Sequence, residues 1–500
     1  MKRVCSLFCL SFFLLFCLTP GFAQTGTTSL RGTVMDKTGG VIIAAKVVLR
    51  SPEQSFERQT STSDTGAYEF IALPPGTYVL TVESAGFRKY QQSDLQLLVN
   101  NPATVNVRLE VGATSQTIEV NAQAITLNAT DASLGVAFGE NQVKQLPMEG
   151  RNVPDLLSLQ PGVAYTGNRT DVPTWDTRNG AVNGARSDQS NVTVDGVEAN
   201  DVGGAAFTSV LPVTLDSVQE FRVTTSNYNA DQGGSSGAQV ALVTKSGTNE
   251  IHGSAYEYNR NTATSANDYF VKASQIDTCL SNGISLSEKQ CNQAPKLIRN
   301  IFGGSVGGPI KKGRLFLFLN YEGTRRSEAQ SVTDVVPSNT LRDGIMQYLC
   351  APLLDANGNV IKTAAQVCPG GSVTGLSGKS YTVQPTYNAL SPTQITAMDP
   401  LHLGPNTAIL QYLNTWPTSN SSACGDGYNY TCFNYSAPIS ETENEYIAKM
   451  DYNITTDAKQ HVSVMGALRN DSNPGAAFYP GLPPSQSNVN YNKGIVVNYN

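Results

Sequence analysis

Residues 445–470 alternate with period two. Tyr446, Ala448, Met450, Tyr452 and Ile454 fall on one side of an extended chain, and Glu445, Ile447, Lys449, Asp451 and Asn453 on the other, which is the pattern of a strand with one apolar face. A short polar turn at 455–459 leads to a second run that sets Val462, Val464, Gly466 and Leu468 against His461, Ser463 and Arg469. Four further runs after residue 250 read the same way. Six strands are therefore predicted, over 251–259, 298–306, 314–322, 445–454, 461–469 and 491–500.

Each predicted strand approaches the roughly 9 to 11 residues that a tilted strand needs to cross a bilayer. The first and third connections, 260–297 and 323–444, are long, and the second and fourth are only a few residues. Structureless loops of such length are unusual in compact soluble domains. Outer-membrane barrels have this asymmetry, with short periplasmic turns and long external loops. On this reading the face of Tyr446, Ala448, Met450 and Tyr452 meets lipid, with its tyrosines in interfacial girdles, and Lys449, Asp451 and Asn453 face the lumen. Leu315, Leu317 and Leu319 are expected outward, Phe316 and Phe318 inward. An antiparallel sandwich in a soluble adhesin explains the alternation equally well but not the loop asymmetry. Six strands cannot close a lipid-exposed barrel, because open edges leave backbone groups unsatisfied in hydrocarbon. The chain is therefore expected to be part of a longer barrel.

Ahead of these strands lie two other regions. From Leu30 to Val111 short alternating runs (Val47 and Leu49; Tyr68 and Phe70; Tyr78, Leu80 and Val82; Val105, Val107 and Leu109) are cut by turn residues at 63–66 and 73–76, which predicts a small β-sandwich over 28–111. Tyr68, Phe70 and Tyr78 are expected in its core. A polar linker, 112–130, follows. Residues 131–248 mix short helix candidates at 140–145 and 154–159 with a strand ending at the Asp195-Gly196 turn, a helix-to-strand segment at 215–224, and a strand at 238–244 after a glycine-rich loop. The predicted class is mainly β: a sandwich, a mixed α/β domain, then the first strands of a transmembrane antiparallel barrel.

Composition supports export. Lys2 and Arg3 precede the apolar run 4–18, and Gly21-Phe22-Ala23 offers small residues for cleavage, so residues 1–23 read as a signal peptide with Gln24 as the first mature residue. The run is too short for a membrane helix. Only 15% of residues are charged, and the net charge of -6 has no basic run behind it, which gives no support for a nucleic-acid partner. Of nine cysteines, three leave with the signal. The rest form close pairs, Cys279 with Cys291, Cys350 with Cys368 and Cys424 with Cys432, all in the predicted long connections, and read as disulfide-closed external loops. With three histidines, none near another, metal binding is the weaker reading.

Two resemblances carry the functional expectation. Gly32-Thr-Val34-Met-Asp36, Asp64-Thr-Gly66-Ala-Tyr68-Glu-Phe70, Leu73-Pro74-Pro75-Gly76-Thr-Tyr78 and Gly86-Phe87 resemble the carboxypeptidase regulatory-like domain, a transthyretin-like sandwich related to carbohydrate-binding folds. Leu146-Pro147, Gly150-Arg151-Asn152, Asp195-Gly196 and Gly233-Gly234 through Gly237 to Lys245 look like the plug of a TonB-dependent outer-membrane receptor, with the Oar-like branch the nearest match. That resemblance implies a barrel over 249–500, a gated pore and a periplasmic TonB-type energy-coupling partner. It also implies outer-membrane lipid around the barrel and an extracellular substrate: a peptide, glycan or protein. Gln116, Thr117, Ile118, Glu119, Val120 and Asn121 resemble a TonB box that pairs by strand addition; a plain linker or last sandwich strand remains the alternative.

No catalytic set emerges. Gly233-Gly234-Ser235-Ser236-Gly237 and Gly303-Gly304-Ser305-Val306-Gly307 match a hydrolase elbow, but one precedes a strand and the other lies within one, without the required strand-turn-helix context. Asp171, Asp176, Asp188, Asp195, Glu198 and Asp201 lack EF-hand spacing and read as solvated or turn-forming carboxylates ahead of a calcium site. No enzyme activity, cofactor or metal is expected. A surface-binding protein or adhesin without active transport is the alternative function.

Overall fold

The computed structural model describes residues 26–54, 56–112, 117–120, 132–146, 148, 151, 153–164, 180–200, 207, 211–229, 232, 235–267, 269–281, 283–421 and 424–499. The predicted signal peptide lies outside them, as do Gln116, Asn121, Pro147, Gly150, Asn152, Gly233, Gly234 and three of the acidic residues, Asp171, Asp176 and Asp201.

The first region is a two-sheet sandwich. Strands β1 (Thr28–Asp36), β2 (Lys46–Ser51), β3 (Phe56–Ser61), β4 (Ala67–Leu73), β5 (Gly76–Glu83), β6 (Lys89–Leu97), β7 (Ala103–Thr104), β8 (Val107–Leu109) and β9 (Thr117–Val120) form one sheet in the order β4-β1-β7, with β8 also on β1, and a second in the order β3-β2-β5-β6-β9. The alternating residues Val47, Leu49, Tyr68, Phe70, Tyr78, Leu80 and Val82 fill the space between them, as period-two patterning requires. The run 103–109 is broken instead of continuous. Gly32 lies so close to the Val105 carbonyl that a side chain there would collide with it, and the same carbonyl accepts a bond from Tyr68 Oη at 2.7 Å. Thr117–Val120 is the edge strand, parallel to β6 from Lys89↔Thr117 to Gln92↔Val120.

The second region centres on a sheet of β10 (Leu134–Gly139), β13 (Asn191–Val194), β14 (Val197–Glu198), β15 (Val218–Ser226) and β16 (Gln239–Thr244), ordered β10-β15-β16-β13-β14, with β11 (Val163–Ala164) pairing β12 (Ala181–Val182) apart from it. The helix Glu140–Gln145 forms where expected, while 153–159 winds as a 3₁₀ helix. Asp195 and Gly196 both have positive φ, 49° and 83°. This is the two-residue primed turn that Asp-Gly favours between paired strands.

The third region is a six-stranded antiparallel meander: β17 (His252–Asn261), β18 (Leu297–Lys311), β19 (Leu315–Pro337), β26 (Tyr430–Asn453), β27 (His461–Pro474) and β28 (Ser487–Tyr499). All six predicted strands are present, but β19 and β26 run much further, pairing without interruption from Leu315↔Tyr452 to Pro337↔Tyr430. Beyond Gly323 the outward positions of β19 are mainly polar, with Arg325, Ser327, Ser331 and Thr333 among them, so the pattern that marks a membrane crossing ends while the hydrogen-bond ladder continues. The third connection therefore shortens to 338–429. It is not structureless. Short strands β20 (Met346–Leu349), β21 (Leu353–Leu354), β22 (Val360–Lys362), β23 (Gly371–Thr374), β24 (Ser380–Val383) and β25 (Tyr387–Leu390) pair within it, around a small core of Ile345, Val373, Val383 and Ala389. The three expected disulfides are present. Contrary to expectation, Cys432 lies in a strand, opposite Val335 in β19, so the third bond ties the connection to the hairpin's tip.

The two faces of the meander separate as predicted. Tyr446, Met450 and Tyr452 are 43%, 41% and 43% exposed, whereas Ile447, Lys449, Asp451 and Asn453 are buried. Phe316 and Phe318 are fully buried and Leu319 is exposed. Ile447, Met465, Ala467 and Val496 on the inner face pack into the same cluster as the second region's core, including Val192, Val194, Phe221 and Leu242. The inner wall is thus completed by the domain it encloses.

Candidate functional site

The candidate site is the seam between the enclosed domain and the wall. At the primed turn, Asp195 accepts bonds from the Thr244 amide (2.8 Å, Oδ1) and hydroxyl (2.5 Å, Oδ2). Lys449 reaches in from β26 to place Nζ 3.3 Å from Asp195 Oδ2, and donates to the carbonyl and hydroxyl of Thr244 at 3.0 and 3.1 Å. The side chains of Asp195 and Lys449 are 5% and 7% exposed. Asn498 of β28 donates to the Asp195 carbonyl at 2.8 Å. One two-residue turn is thus held by two wall strands.

A second joint uses Arg151, whose φ of 55° turns the chain so that its guanidinium lies over the rings of Tyr256 and Tyr258, 4.7 and 4.6 Å from their centroids. Nε and Nη2 donate to Glu322 Oε2 at 3.3 and 3.1 Å, and Tyr256 Oη donates to the same oxygen at 2.5 Å. A fixed planar fork between two rings and a carboxylate is a geometry lysine cannot reproduce. Below it, Lys144 and Lys245 bracket Glu140 and Asp216, and Ser254 of β17 donates to Asp216 Oδ2 at 2.6 Å. Burial acts to raise the Asp216 carboxyl, but the bonds from Ser254 and Ser305 and the two ammonium groups outweigh it and hold it below its ordinary range. For Lys245 burial wins over the attraction of Asp216 and Glu140 and lowers its pKa.

The sandwich is fastened at the short-turn end of the wall. Ala458, in the turn between β26 and β27, is 2% exposed and joins the sandwich core cluster, and Arg58 donates to its carbonyl at 2.8 Å. Asn249 donates twice to the Glu53 carbonyl, from N and Nδ2. Where β6 ends, the amide of Val99 donates to both oxygens of Glu220 at 2.9 and 3.0 Å, and Arg222 donates to its carbonyl at 3.0 Å. Burial pushes the Glu220 carboxyl up to about 7 against the opposing pull of that amide and Arg222. A cavity of about 830 Å³ remains between sandwich, enclosed domain and wall, lined among others by Glu53, Lys144, Lys245, His252, Asp451 and His461.

Of the motif residues singled out in sequence, Arg151, Asp195 and Gly196 sit at the seam. Gly237 packs against the backbone of Gln189, and Leu146 lies at the edge of the central core. Both candidate elbows lack a catalytic setting among the described residues: Ser305 is inside β18, bonded to Ser254, and Ser235 bonds to Gln239 and accepts at its carbonyl from Tyr228. Among the described residues no group of three or more His, Cys, Asp or Glu side chains is placed to hold a metal. Asp188 instead pairs with Arg186. Sequence reasoning missed Lys449 as the partner of Asp195, included Glu220 and Arg222 only as part of the plug resemblance, and gave Thr244, Glu322 and Tyr256 no role in the joints. The one available signal was a lysine among the inward-facing residues of β26, next to Asp451 and Asn453 on the same face.

A strand meander with one face for lipid and the other closed by a separate α/β domain defines the wall of a plugged outer-membrane barrel. The chain belongs to the outer membrane beta barrel domain family, whose profile matches residues 243–500, and it is a protein of the bacterial outer membrane. The carboxypeptidase regulatory-like domain matches residues 29–110. The chain is 27% identical over 342 residues to the TonB-dependent transporter Oar of Myxococcus xanthus, covering 65% of this chain and 30% of that protein. It thus spans under a third of that relative's length. Among solved structures it aligns with the siderophore receptor PirA of Acinetobacter baumannii (14% identity, 75% of this chain and 45% of that one, TM-score 0.30). It also aligns with a catechol 1,2-dioxygenase of Acinetobacter radioresistens (17% identity, 20% and 57%, TM-score 0.15).

Proposed function

We propose that the protein is a TonB-dependent transporter that moves a large or scarce substrate, a peptide, glycan or protein, through the plugged barrel, with energy relayed from the inner membrane through residues 116–121. The observation that carries this reading is the chemistry of the seam. The plug is held to the wall by ion pairs at Asp195 and Arg151 and by the hydrogen bond from Ser254 to Asp216. Such pairs contribute little net stability relative to apolar replacements but favour one register, which suits a domain that must be displaced and reseated. Thr117–Val120 supports the second half of the proposal. It is a four-residue parallel edge pairing, a weak attachment that releases an extended segment for strand addition to a TonB-type partner.

The test is energised uptake by the full-length protein in cells. Ile118→Pro removes a backbone donor and fixes φ, and is expected to abolish accumulation while cargo still binds at the surface. Undiminished accumulation by this variant rejects the assignment of 116–121. Surface binding with no energised accumulation by the unaltered protein identifies an adhesin instead.

A further inference from the structure

The lipid-facing wall is not evenly covered. In the hydrogen-bonded row Val306–Leu319–Ala448–Gly466–Ile495, two central positions carry almost no side chain. A side chain at Gly466 would meet nothing within 4 Å. The row nearer the long loops is Gly304–Tyr321–Tyr446–Leu468–Lys493, with the rings of Tyr321 and Tyr446 5.0 Å apart. Together the two rows frame a groove of about 1040 Å³ whose floor is Ala448 and Gly466 and whose sides include Leu319, Leu468 and Ile495.

Lys493 stands at the groove's outer end. It is exposed, and no described residue pairs with its ammonium. Arg325, an outward-facing cation of β19, directs its donors to the carbonyls of Thr324 and Glu443 and to Asn444. The tyrosines in the same row as Lys493 mark the level where aromatic residues meet lipid headgroups. A free ammonium at that level, above a trough in the apolar face, is complementary to an anionic headgroup with a hydrocarbon chain below it. A row of tyrosines without the trough would define only the general boundary. The trough supplies a position for one chain.

We propose that this groove is a binding site for one membrane lipid with a net-anionic phosphate headgroup, its acyl chain on Ala448 and Gly466 and its phosphate on Lys493. The inference needs the membrane location alone and is independent of transport. The full-length protein, reconstituted in equimolar phosphatidylglycerol and phosphatidylcholine vesicles and extracted in mild detergent, is weighed by native mass spectrometry. One retained phosphatidylglycerol is expected over phosphatidylcholine by roughly fivefold, the ratio one lysine gives at an anionic surface. Lys493→Gln should bring the ratio to about one. Gly466→Leu, which fills the open space, should cut retention of both lipids at least fivefold, while Ala255→Leu on the same face outside the groove should not. Heat-resistant migration on gels checks that each variant is folded. Equal retention of the two lipids by the unaltered protein, or unchanged retention in folded Gly466→Leu, overturns the proposal.

Discussion

Replacing Lys449 with Met should unseat the plug without opening the wall. The side chain points inward and its backbone remains in the ladder between β19 and β27, so the cost falls on the seam. Asp195, 5% exposed, would lose its counter-charge but keep both bonds from Thr244. Removing one partner of a buried pair costs about 3–5 kcal/mol, and the surviving bonds argue for the lower figure. At about 1.4 kcal/mol per tenfold, that is on the order of a hundredfold change in the seating equilibrium. The readout is hydrogen exchange at the Thr244 amide, which donates to Asp195, in full-length protein held in lipid nanodiscs. Exchange there should accelerate about a hundredfold while amides in β26 and β27 keep their protection. Asp195→Asn combined with Lys449→Met removes both charges and should recover all but about 1 kcal/mol. Exchange within about threefold of the unaltered protein in Lys449→Met, or no recovery in the double variant, refutes the reasoning.

The sandwich-plug joint should depend on pH. Glu220 is raised to about 7 when docked, so the docked state binds its proton more tightly. The contribution is fully present below the ordinary carboxyl range and is lost as pH rises through 7, by about 3 kcal/mol in all. Exchange at the Val99 amide, corrected for intrinsic rate, should speed up between pH 5 and 8, and Glu220→Gln should flatten the profile; a flat profile in the unaltered protein would contradict this. At the second joint, Arg151→Ala strands the buried Glu322 carboxylate and should loosen the plug by about 3 kcal/mol. Arg151→Lys should recover less than half, because a point charge cannot fill the fork. Exchange in the plug strand β15 reports both, and full recovery by lysine would show that charge alone matters.

Strand identity, the inward and outward faces of the wall, the Asp-Gly turn and the three cysteine pairs were legible along the chain, because each depends on local spacing: period two, two residues of positive φ, or partners less than twenty positions apart. The ends of β19 and β26 were not legible, because the ladder continues after the apolar alternation that reveals a membrane crossing has stopped. Nor were the joints. Asp195 meets Lys449, Arg151 meets Glu322 and Val99 meets Glu220 across more than a hundred residues of chain, and no periodicity records which inward-facing lysine or carboxylate lies opposite which turn. The sequence by itself determined what each strand shows to lipid and to the lumen, since that follows from alternation. Only the tertiary structure decided how the plug and sandwich are fastened inside and beneath the wall, because burying a charge is tolerable only where folding delivers its partner to within a few ångströms.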